Sequence, residues 1–318
     1  MISYLMRRVA QAVAVVILAS FLVFGIMHWL PGDPILMYMT SDQFHQHTAV
    51  EIQAMRHEYG LDRPVVVQYV DWLKGVVTGN FGKSIIRGTS VGSELARSLP
   101  ITIYYGLTAF IFAHLIGIPL GIICAVRRGK WPDTVFTALA NVGMTVPIFW
   151  LGIMLIYLFC LKLGWLPVGG YTSPFTNLSM SLKQLVLPAF CLALGPLAGS
   201  TRQTRSAMLD IVHQDYVRTA WAKGLKERAV VFRHIIKNGI LPVVTLGGMA
   251  IPMVIGGSVL VENVFNINGM GRLATQALFD KDYAVVQGVV LVIAMIVVFT
   301  NLVVDISYGY LDPRVRVG

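Results

Sequence analysis

Residues 201–238 read TRQTRSAMLDIVHQDYVRTAWAKGLKERAVVFRHIIKN, and they separate two strongly apolar runs of the chain. This segment carries eight Lys and Arg side chains and has few helix-breaking residues. Apolar residues recur in it at helical spacing, first at Val217, Trp221 and Leu225 and again towards Ile235. Such spacing gives a helix one apolar face and one polar face. The segment therefore predicts helices that lie on or just below a membrane surface.

The composition of the whole chain explains why a membrane is expected. The chain has 318 residues, of which 56% are hydrophobic and only 13% are charged, and its mean hydropathy is +0.69. A soluble domain carries about 25% charged residues, so these charges are too few to cover a water-soluble protein. The net charge of +9 then reflects the preference of basic loops for the cytoplasm rather than nucleic-acid binding. We predict a single all-α domain, residues 1–318, embedded in the lipid bilayer, with no nucleic-acid partner.

Six uncharged runs are long enough, or nearly so, to cross a bilayer as helices, which takes about 20 residues. They are Val9–Leu30, Ile101–Val126, Val135–Leu161, Leu185–Ser200, Gly239–Val261 and Ala284–Val304. The fourth run has only 16 residues and contains Pro188 and Pro196, so we expect a tilted or kinked helix that continues past Arg202. The first run is too long for a usual signal peptide and is interpreted as an uncleaved anchor.

The charges between these runs predict the orientation of the chain. One set of segments holds 15 basic and six acidic residues and consists of 1–8, 127–134, 201–238 and 305–318. The alternating set holds ten residues of each sign and consists of 31–100, 162–184 and 262–283. Because basic loops stay in the cytoplasm, the first set and both chain termini are predicted to be cytoplasmic. The segment 31–100 is then predicted to form a small extracytoplasmic cap.

The sequence lacks the residue patterns of a transmembrane enzyme or an ion-driven carrier. It contains no HExxH, no G-x-S-x-G and no carboxylate pair inside an apolar run. Gly82-Lys83-Ser84 lacks the upstream glycine of a phosphate-binding loop, and His45 and His47 have no cysteine beside them. Ion-coupled carriers usually place a charged group in mid-membrane. We therefore expect no catalytic, cofactor or metal site here, and energy from another subunit if the chain moves a solute.

Small and polar residues inside the second run predict helix packing. Gly117 and Gly121 form a GxxxG pattern, which lets two helices approach closely in lipid. His114 is expected to hydrogen-bond to a neighbouring helix, because a polar group in a membrane needs a partner. A helix that lines a translocation path would use the same residues, and that alternative stays open.

The basic segment also carries the most specific pattern, DYVRTAWAKGL at 215–225, followed by NGILP at 238–242. It resembles the cytoplasmic EAA loop of ABC importer permeases, E-A-A-x-x-x-G with a later proline. Aligned on Gly224, the E-A-A positions hold Arg218, Thr219 and Ala220. This departs from the general pattern but is similar to the D-Y-V-R-T-A-x-A-K-G variant of the dipeptide/oligopeptide/nickel permeases. Further matches in the same order are LPGDP at 30–34, YGLDRP at 59–64, GNFGKS at 79–84, ENVF at 262–265, GMGR at 269–272 and LDPR at 311–314.

This resemblance implies a type I ABC importer permease with six helices in a bacterial cytoplasmic membrane. The implied cargo is a di- or oligopeptide or, alternatively, nickel or another metal chelate. The chain itself would be no enzyme, since ATP and magnesium would be bound by two ATPase subunits. A second homologous permease and an extracytoplasmic solute-binding protein would complete the transporter, with 31–100 and 262–283 facing the binding protein.

The resemblance also implies which residues couple the chain to the ATPase. A short helix of the loop 201–238 would dock in a groove of the ATPase. Gly224 would permit a sharp turn because glycine tolerates positive φ, and Pro242 is expected at the start of the fifth helix. Trp221 stands where the family commonly has arginine, which would alter one contact. The predicted coupling residues are Asp215, Arg218, Thr219, Ala220, Lys223, Gly224, His234, Asn238 and Pro242.

Two other functions compete with this interpretation, an ion-coupled secondary carrier and an intramembrane enzyme. The lack of mid-membrane carboxylates argues against the first, and the lack of a nucleophile, acid–base pair or metal set argues against the second. Candidates for a translocation path are Asn141, Met144 and Thr145 in the third run and Met249 and Met253 in the fifth.

Overall fold

The computed structural model describes residues 2–29, 49–58, 60, 62–84, 86–248 and 251–311. Within these residues the chain is helical, and the only extended pairing is an isolated bridge between Lys83 and Ser90. The helices are α1 (Ile2–Trp29), α2 (Ala49–Glu58), α3 (Val65–Val77), α4 (Val91–Val126), α5 (Trp131–Thr145), α6 (Ile148–Leu155), α7 (Leu178–Val212), α8 (Asp215–Ala222), α9 (Glu227–Val230), α10 (Lys237–Gly248), α11 (Ile251–Val264), α12 (Met270–Phe279) and α13 (Tyr283–Leu311). Two π-helical segments, Ile156–Lys162 and Val231–Ile236, continue α6 and α9.

Four of these helices contain segments long and apolar enough to cross a bilayer. The segments are Leu5–Trp29, Val91–Val126, Leu178–Val212 and Tyr283–Ser307. They correspond to the first, second, fourth and sixth predicted runs, and they confirm the all-α membrane class. α7 continues beyond Arg202 to Val212, as the short fourth run predicted. The full set of six crossings and the cytoplasmic position of both termini stay predictions.

The third run, Val135–Leu161, does not form one continuous helix. α5 ends at Thr145, and the helix that begins at Ile148 is bent away from it by 101°. Pro147 lies at the bend, and a proline favours an extended residue before it. Val146 has a ψ of 125° accordingly. The expectation of one helix is wrong here because absence of charge says nothing about a backbone break.

The fifth run falls in α10 and α11, on either side of residues 249 and 250, which lie outside the described residues. α10 begins at Lys237 and follows the π-helical segment Val231–Ile236 directly. Pro242 therefore lies within α10, and the expectation that it starts a helix is wrong. The π-helical turn already supplies the first helical turns, so the helix needs no new start at the proline.

Contacts within the chain divide it into two compact units. The first contains Ile103–Ile267 together with residues at both ends of the chain, and the second contains Met6–Thr102 and Asn268–Phe299. The predicted coupling residues all belong to the first unit.

In the first unit, α4 and α7 approach closely at the GxxxG pattern. An ideal Cβ on Gly117 would lie 2.8 Å from the carbonyl oxygen of Leu197, and one on Gly121 would lie 2.5 Å from that of Thr201. Real Cβ atoms essentially never come this close to another heavy atom. The predicted packing role of the two glycines is therefore confirmed.

His114 lies in the same helix, but its hydrogen bond differs from the prediction. Its Nδ1 is 2.9 Å from the carbonyl oxygen of Phe110, one turn earlier in α4. The expected partner on a neighbouring helix is thus wrong for this nitrogen, because a backbone carbonyl within the helix satisfies it.

The second unit has its own apolar core, which contains buried side chains of α1, α4, α12 and α13. They are Met27, Val91, Leu95, Met270, Leu273, Ala277, Val285, Val286, Val289 and Val292. Asp282 lies beside this core, between α12 and α13, and is 2% exposed. Its carboxylate accepts a hydrogen bond from the hydroxyl of Ser84. Burial raises the pKa of Asp282, because the charged form loses its water.

Asp282→Asn is expected to change how the stability of the second unit depends on pH. The pKa of Asp282 in the folded protein lies above its ordinary value of 3.8. Its contribution to the free energy of unfolding is therefore fully present at pH values below 3.8 and is lost as the pH rises through the folded pKa. Thermal unfolding of the purified protein in detergent should show this loss for the wild type and not for Asp282→Asn.

Asp62→Asn provides a control, because Asp62 should make stability depend on pH in the opposite direction. A hydrogen bond from His57 lowers the pKa of Asp62, so its stabilising effect is present above the ordinary pKa and is lost as the pH falls. Identical pH profiles for the wild type and Asp282→Asn would contradict the prediction.

Candidate functional site

The predicted coupling residues are centred on α8, a short helix with a buried and an exposed face. Val217 and Ala220 are 0% and 5% exposed, and they lie one turn apart on the same face of the helix. The hydroxyl of Thr219 donates to the carbonyl oxygen of Asp215 at 2.9 Å, within the first turns. Asp215 itself adds negative charge at the N-terminus of the helix, where it is stabilising.

The buried face of α8 packs into an apolar cluster, which we call the loop core. It combines residues of α4, α7, α8 and α9 with residues of the following π-helical segment. Its buried members are Ala125, Met208, Val217, Ala220, Val230, Val231 and Ile235. The spacing of apolar residues in 201–238 therefore predicted the buried positions correctly at Val217 and Ile235. It is wrong at Trp221 and Leu225, which were expected on the same apolar face as Val217 but are 43% and 42% exposed.

Gly224 ends α8 with a left-handed turn. Its φ is +73°, a value that favours glycine, and its N–H donates to the carbonyl oxygen of Trp221 at 2.9 Å. No heavy atom lies within 4 Å of an ideal Cβ at this position. The chain then enters α9 at Glu227. The predicted change of direction at Gly224 is confirmed, and the turn is open on its outer side.

The exposed face of this segment is both charged and apolar. The side chains of Arg218 and Asp215 are 78% and 100% exposed, with 3.9 Å between Nη1 and Oδ1. Such an exposed pair contributes little stability. Trp221 is 43% exposed and Phe232 is 69% exposed, and Lys223 is also exposed. The face therefore offers apolar and basic groups to whatever binds it.

The remaining predicted coupling residues lie further along the chain. His234 is half-buried in the π-helical segment. Asn238 and Pro242 fall within α10, and their side chains lie outside the described part of the structure. The structure thus brings Asp215, Arg218, Thr219, Ala220, Lys223 and Gly224 together on α8 and its final turn.

The candidate path residues of the third run occupy the end of α5. Asn141, Met144 and Thr145 are exposed there, and the Thr145 hydroxyl donates to the carbonyl oxygen of Val142 at 3.0 Å. Met249 lies outside the described residues, and so does the side chain of Met253 in α11. Their proposed place in a path stays a prediction.

An ion pair that the sequence did not reveal connects α5 to α7. Arg205 donates from Nε to Oδ1 of Asp133 at 2.6 Å and from Nη2 to Oδ2 at 2.9 Å. Nearby, Nη1 of Arg128 is 3.2 Å from Nε2 of His213. Asp133 and Arg205 have opposite charges and lie at the predicted cytoplasmic ends of two runs, which was the available signal, but 72 residues separate them in the sequence.

An apolar cavity of about 610 Å³ lies between α4, α6 and α7 in the first unit. Its lining residues include Phe112, Phe159, Leu185 and Phe190. Thr108 contributes a hydroxyl, which donates to the carbonyl oxygen of Tyr104 at 2.7 Å. The cavity therefore has the character of a site for apolar groups and not for the charged ends of a peptide.

Metal ligands do not cluster in the described part of the chain: no three His, Cys, Asp or Glu side chains there are arranged to hold an ion. His45 and His47 lie outside the described residues. The three cysteines are free, with Cys124 and Cys191 buried and Cys160 half-buried.

Comparisons with known proteins agree over most of the chain. The family described as "Binding-protein-dependent transport system inner membrane component" matches residues 117–317, and the family of its N-terminal part matches residues 1–106. The oligopeptide transport system permease protein AppB of Bacillus subtilis (strain 168) is 40% identical, over 99% of this chain and 100% of the relative.

Solved structures show the same fold at lower identity. A chain of the MetNI methionine ABC transporter, in its inward-facing conformations, has a TM-score of 0.56 and 18% identity, covering 69% of this chain and 96% of that one. A chain of an amino acid ABC transporter crystallised with histidines has a TM-score of 0.50 and 16% identity, covering 70% and 94%. The similarity therefore extends to the fold of ABC importer membrane chains.

Proposed function

Because the chain belongs to the family of binding-protein-dependent transport system inner membrane components, we propose that it is the membrane-spanning permease subunit of an ATP-driven peptide importer. Full-length similarity to an oligopeptide permease supports peptides as the cargo. The two-faced helix α8 with its open turn at Gly224 supports coupling to a partner that hydrolyses ATP. The full-length similarity is the observation that carries the proposal.

The proposed transporter contains several subunits, of which this chain is one. A second homologous permease would complete the membrane part, and two ATPase subunits would bind its cytoplasmic side. An extracytoplasmic solute-binding protein would deliver the peptide. ATP and magnesium would be held by the ATPase subunits, and this chain would catalyse no reaction of its own.

The arrangement of α8 is suited to passing motion from an ATPase to the membrane helices. Its exposed face carries Arg218, Trp221 and Lys223, which offer charge and apolar surface to a groove. Its buried face rests on Ala125 at the end of α4 and on Met208 in α7. A push on the exposed face is therefore received by two long helices, which would alternate the access of the path between the two sides of the membrane.

Uptake by the complete transporter in sealed vesicles tests the energy source. We expect labelled oligopeptides to enter in the presence of the binding protein and ATP, even after ionophores have collapsed all ion gradients. Uptake should stop when the ATPase subunits are replaced by forms that cannot hydrolyse ATP.

The same assay distinguishes the competing functions. Uptake driven by an ion gradient without ATP would contradict the proposal and favour a secondary carrier. ATP-dependent uptake of a nickel chelate, with no uptake of oligopeptides, would keep the permease but overturn the cargo.

A further inference from the structure

We infer that Asp133 and Arg205 are positioning residues for transport, because their ion pair makes α5 follow the displacement of α7 and α8. This inference rests on the proposed function, since it concerns how a displacement of α8 spreads through the first unit. Neither residue belongs to the predicted coupling pattern at 215–242.

The ion pair is fixed in orientation as well as in distance. Arg205 contacts both carboxylate oxygens of Asp133, at 2.6 Å and 2.9 Å. The N–H of Gly129 also donates to Oδ2 at 3.0 Å, and the hydroxyl of Thr137 donates to Oδ1 at 3.3 Å. The side chain of Asp133 is only 8% exposed. Two parallel N–H···O bonds hold a guanidinium and a carboxylate in one plane, so the contact restrains the orientation of the two side chains between α5 and α7.

A second contact restrains the same turn at another point of α7. Residues 127–130 join α4 to α5, and Gly129 turns the chain there with a φ of +74°. Arg128 in this turn contacts His213, which follows the last residue of α7, at 3.2 Å. Arg205 and His213 are eight residues apart, or about 12 Å along a helix. The turn and the start of α5 therefore contact α7 and the residue that follows it at two separate places, through Arg205 and through the exposed side chain of His213.

The surface between these two attachments is where α8 rests. Met208 lies between Arg205 and His213 in the sequence, is fully buried, and belongs to the loop core with Val217 and Ala220. Ala125, at the end of α4, belongs to the same cluster. Contacts with α7 thus connect four parts of the first unit. They are α8, the end of α4, the end of α7 itself and the start of α5.

Stability alone is a weak explanation for this ion pair. The Arg205 side chain is 30% exposed and that of Asp133 is 8% exposed. An ion pair that is partly removed from water contributes little more stability than apolar side chains of similar volume would. What it adds is a defined geometry between its partners. α5 already packs against α7, so we assign to the ion pair the task of fixing how the start of α5 is oriented beside the loop core.

Substitutions in the complete transporter test the inference. Arg205→Met should reduce the amount of peptide moved per ATP hydrolysed by about tenfold. Arg205→Lys keeps the charge but loses the two-point contact, and it should reduce the same ratio by about threefold. Asp133→Asn should reduce the amount of peptide moved per ATP hydrolysed by about as much as Arg205→Met does. The stimulation of ATP hydrolysis by loaded binding protein should weaken in parallel.

Arg202→Met is the matched control, because Arg202 is an exposed arginine one turn earlier in α7. It should keep the wild-type ratio. If Arg205→Met fails to assemble, Arg205→Lys decides the question. An assembled Arg205 variant that moves as much peptide per ATP as the wild type would overturn the inference and leave the proposed function intact. This holds even if less complex is formed, because the ion pair would then have only a structural role. Absence of ATP-dependent uptake in the wild type would overturn the proposed function as well.

Discussion

Gly224→Asp is expected to abolish ATP-dependent peptide uptake while the chain still inserts and assembles. The left-handed φ of Gly224 makes any side chain costly here by roughly 1 kcal/mol, and Asp tolerates this region better than most residues. No atom of the chain lies within 4 Å of the new Cβ, so the fold has room for the change. The carboxylate would instead project outward, into the proposed ATPase groove. Uptake and ATP hydrolysis should be measured in the same vesicles. Uptake should be absent, and the binding protein should no longer stimulate ATP hydrolysis.

Gly164→Asp separates this effect from backbone strain. Gly164 also has a positive φ, +64°, and also has no atom within 4 Å of an ideal Cβ. It lies in a segment predicted to face the opposite side of the membrane, so we expect normal uptake. Equal losses in the two variants would indicate strain as the cause. Normal uptake by Gly224→Asp would remove the assignment of α8 as the coupling helix.

Gly121→Ala is expected to destabilise the first unit strongly, although it adds a single methyl group. The new Cβ would come within 2.5 Å of both the Thr201 carbonyl oxygen and the Cβ of Thr204. A backbone atom cannot rotate away as a side chain can, so α4 and α7 would have to separate. Overpacking of this kind costs about 1–3 kcal/mol. Thermal unfolding of the purified protein in detergent should show a clearly lower midpoint.

Gly199→Ala is the control for helix propensity in the same pair of helices. No atom lies within 4 Å of an ideal Cβ at Gly199 in α7, and alanine is the better helix former by up to about 1 kcal/mol. This variant should be as stable as the wild type or more stable. A Gly121→Ala protein with an unchanged midpoint would contradict the close approach of the two helices.

The fold class and the helices of the segment 201–238 could be predicted from the sequence because both depend on local patterns, whereas the coupling role of α8 rests on the family resemblance and stays a prediction. Apolar runs without charge predicted four segments long and apolar enough to cross a bilayer, and the apolar spacing predicted the burial of Val217 and Ile235 but not the exposure of Trp221 and Leu225. The expected turn at Gly224 was also found, since glycine readily adopts the positive φ with which a helix often stops. Each of these features is set by residues within a few positions of one another.

The errors have different causes. Pro147 is itself a local signal for a break in the third run, but the lack of charge that defines the run does not report it. The continuous helix through Pro242 depends on the preceding π-helical turn. The pairing of Asp133 with Arg205 joins two helices that are distant in sequence, so only the packing of α5 against α7 brings the charges together. Tertiary packing thus decided what local propensity could not.

The length of α7 has a mechanical consequence. With 35 residues it is about 52 Å long at 1.5 Å per residue, whereas the apolar part of a bilayer is about 30 Å thick. If the uncharged run 185–200 lies in the lipid, the continuous helix is expected to extend beyond it at the end that carries Arg205 and Met208. Pro188 and Pro196 each remove one hydrogen bond further back in the helix. Both prolines lie in the uncharged run 185–200, so we expect α7 to bend more easily within the membrane than at the end that carries Arg205 and Met208.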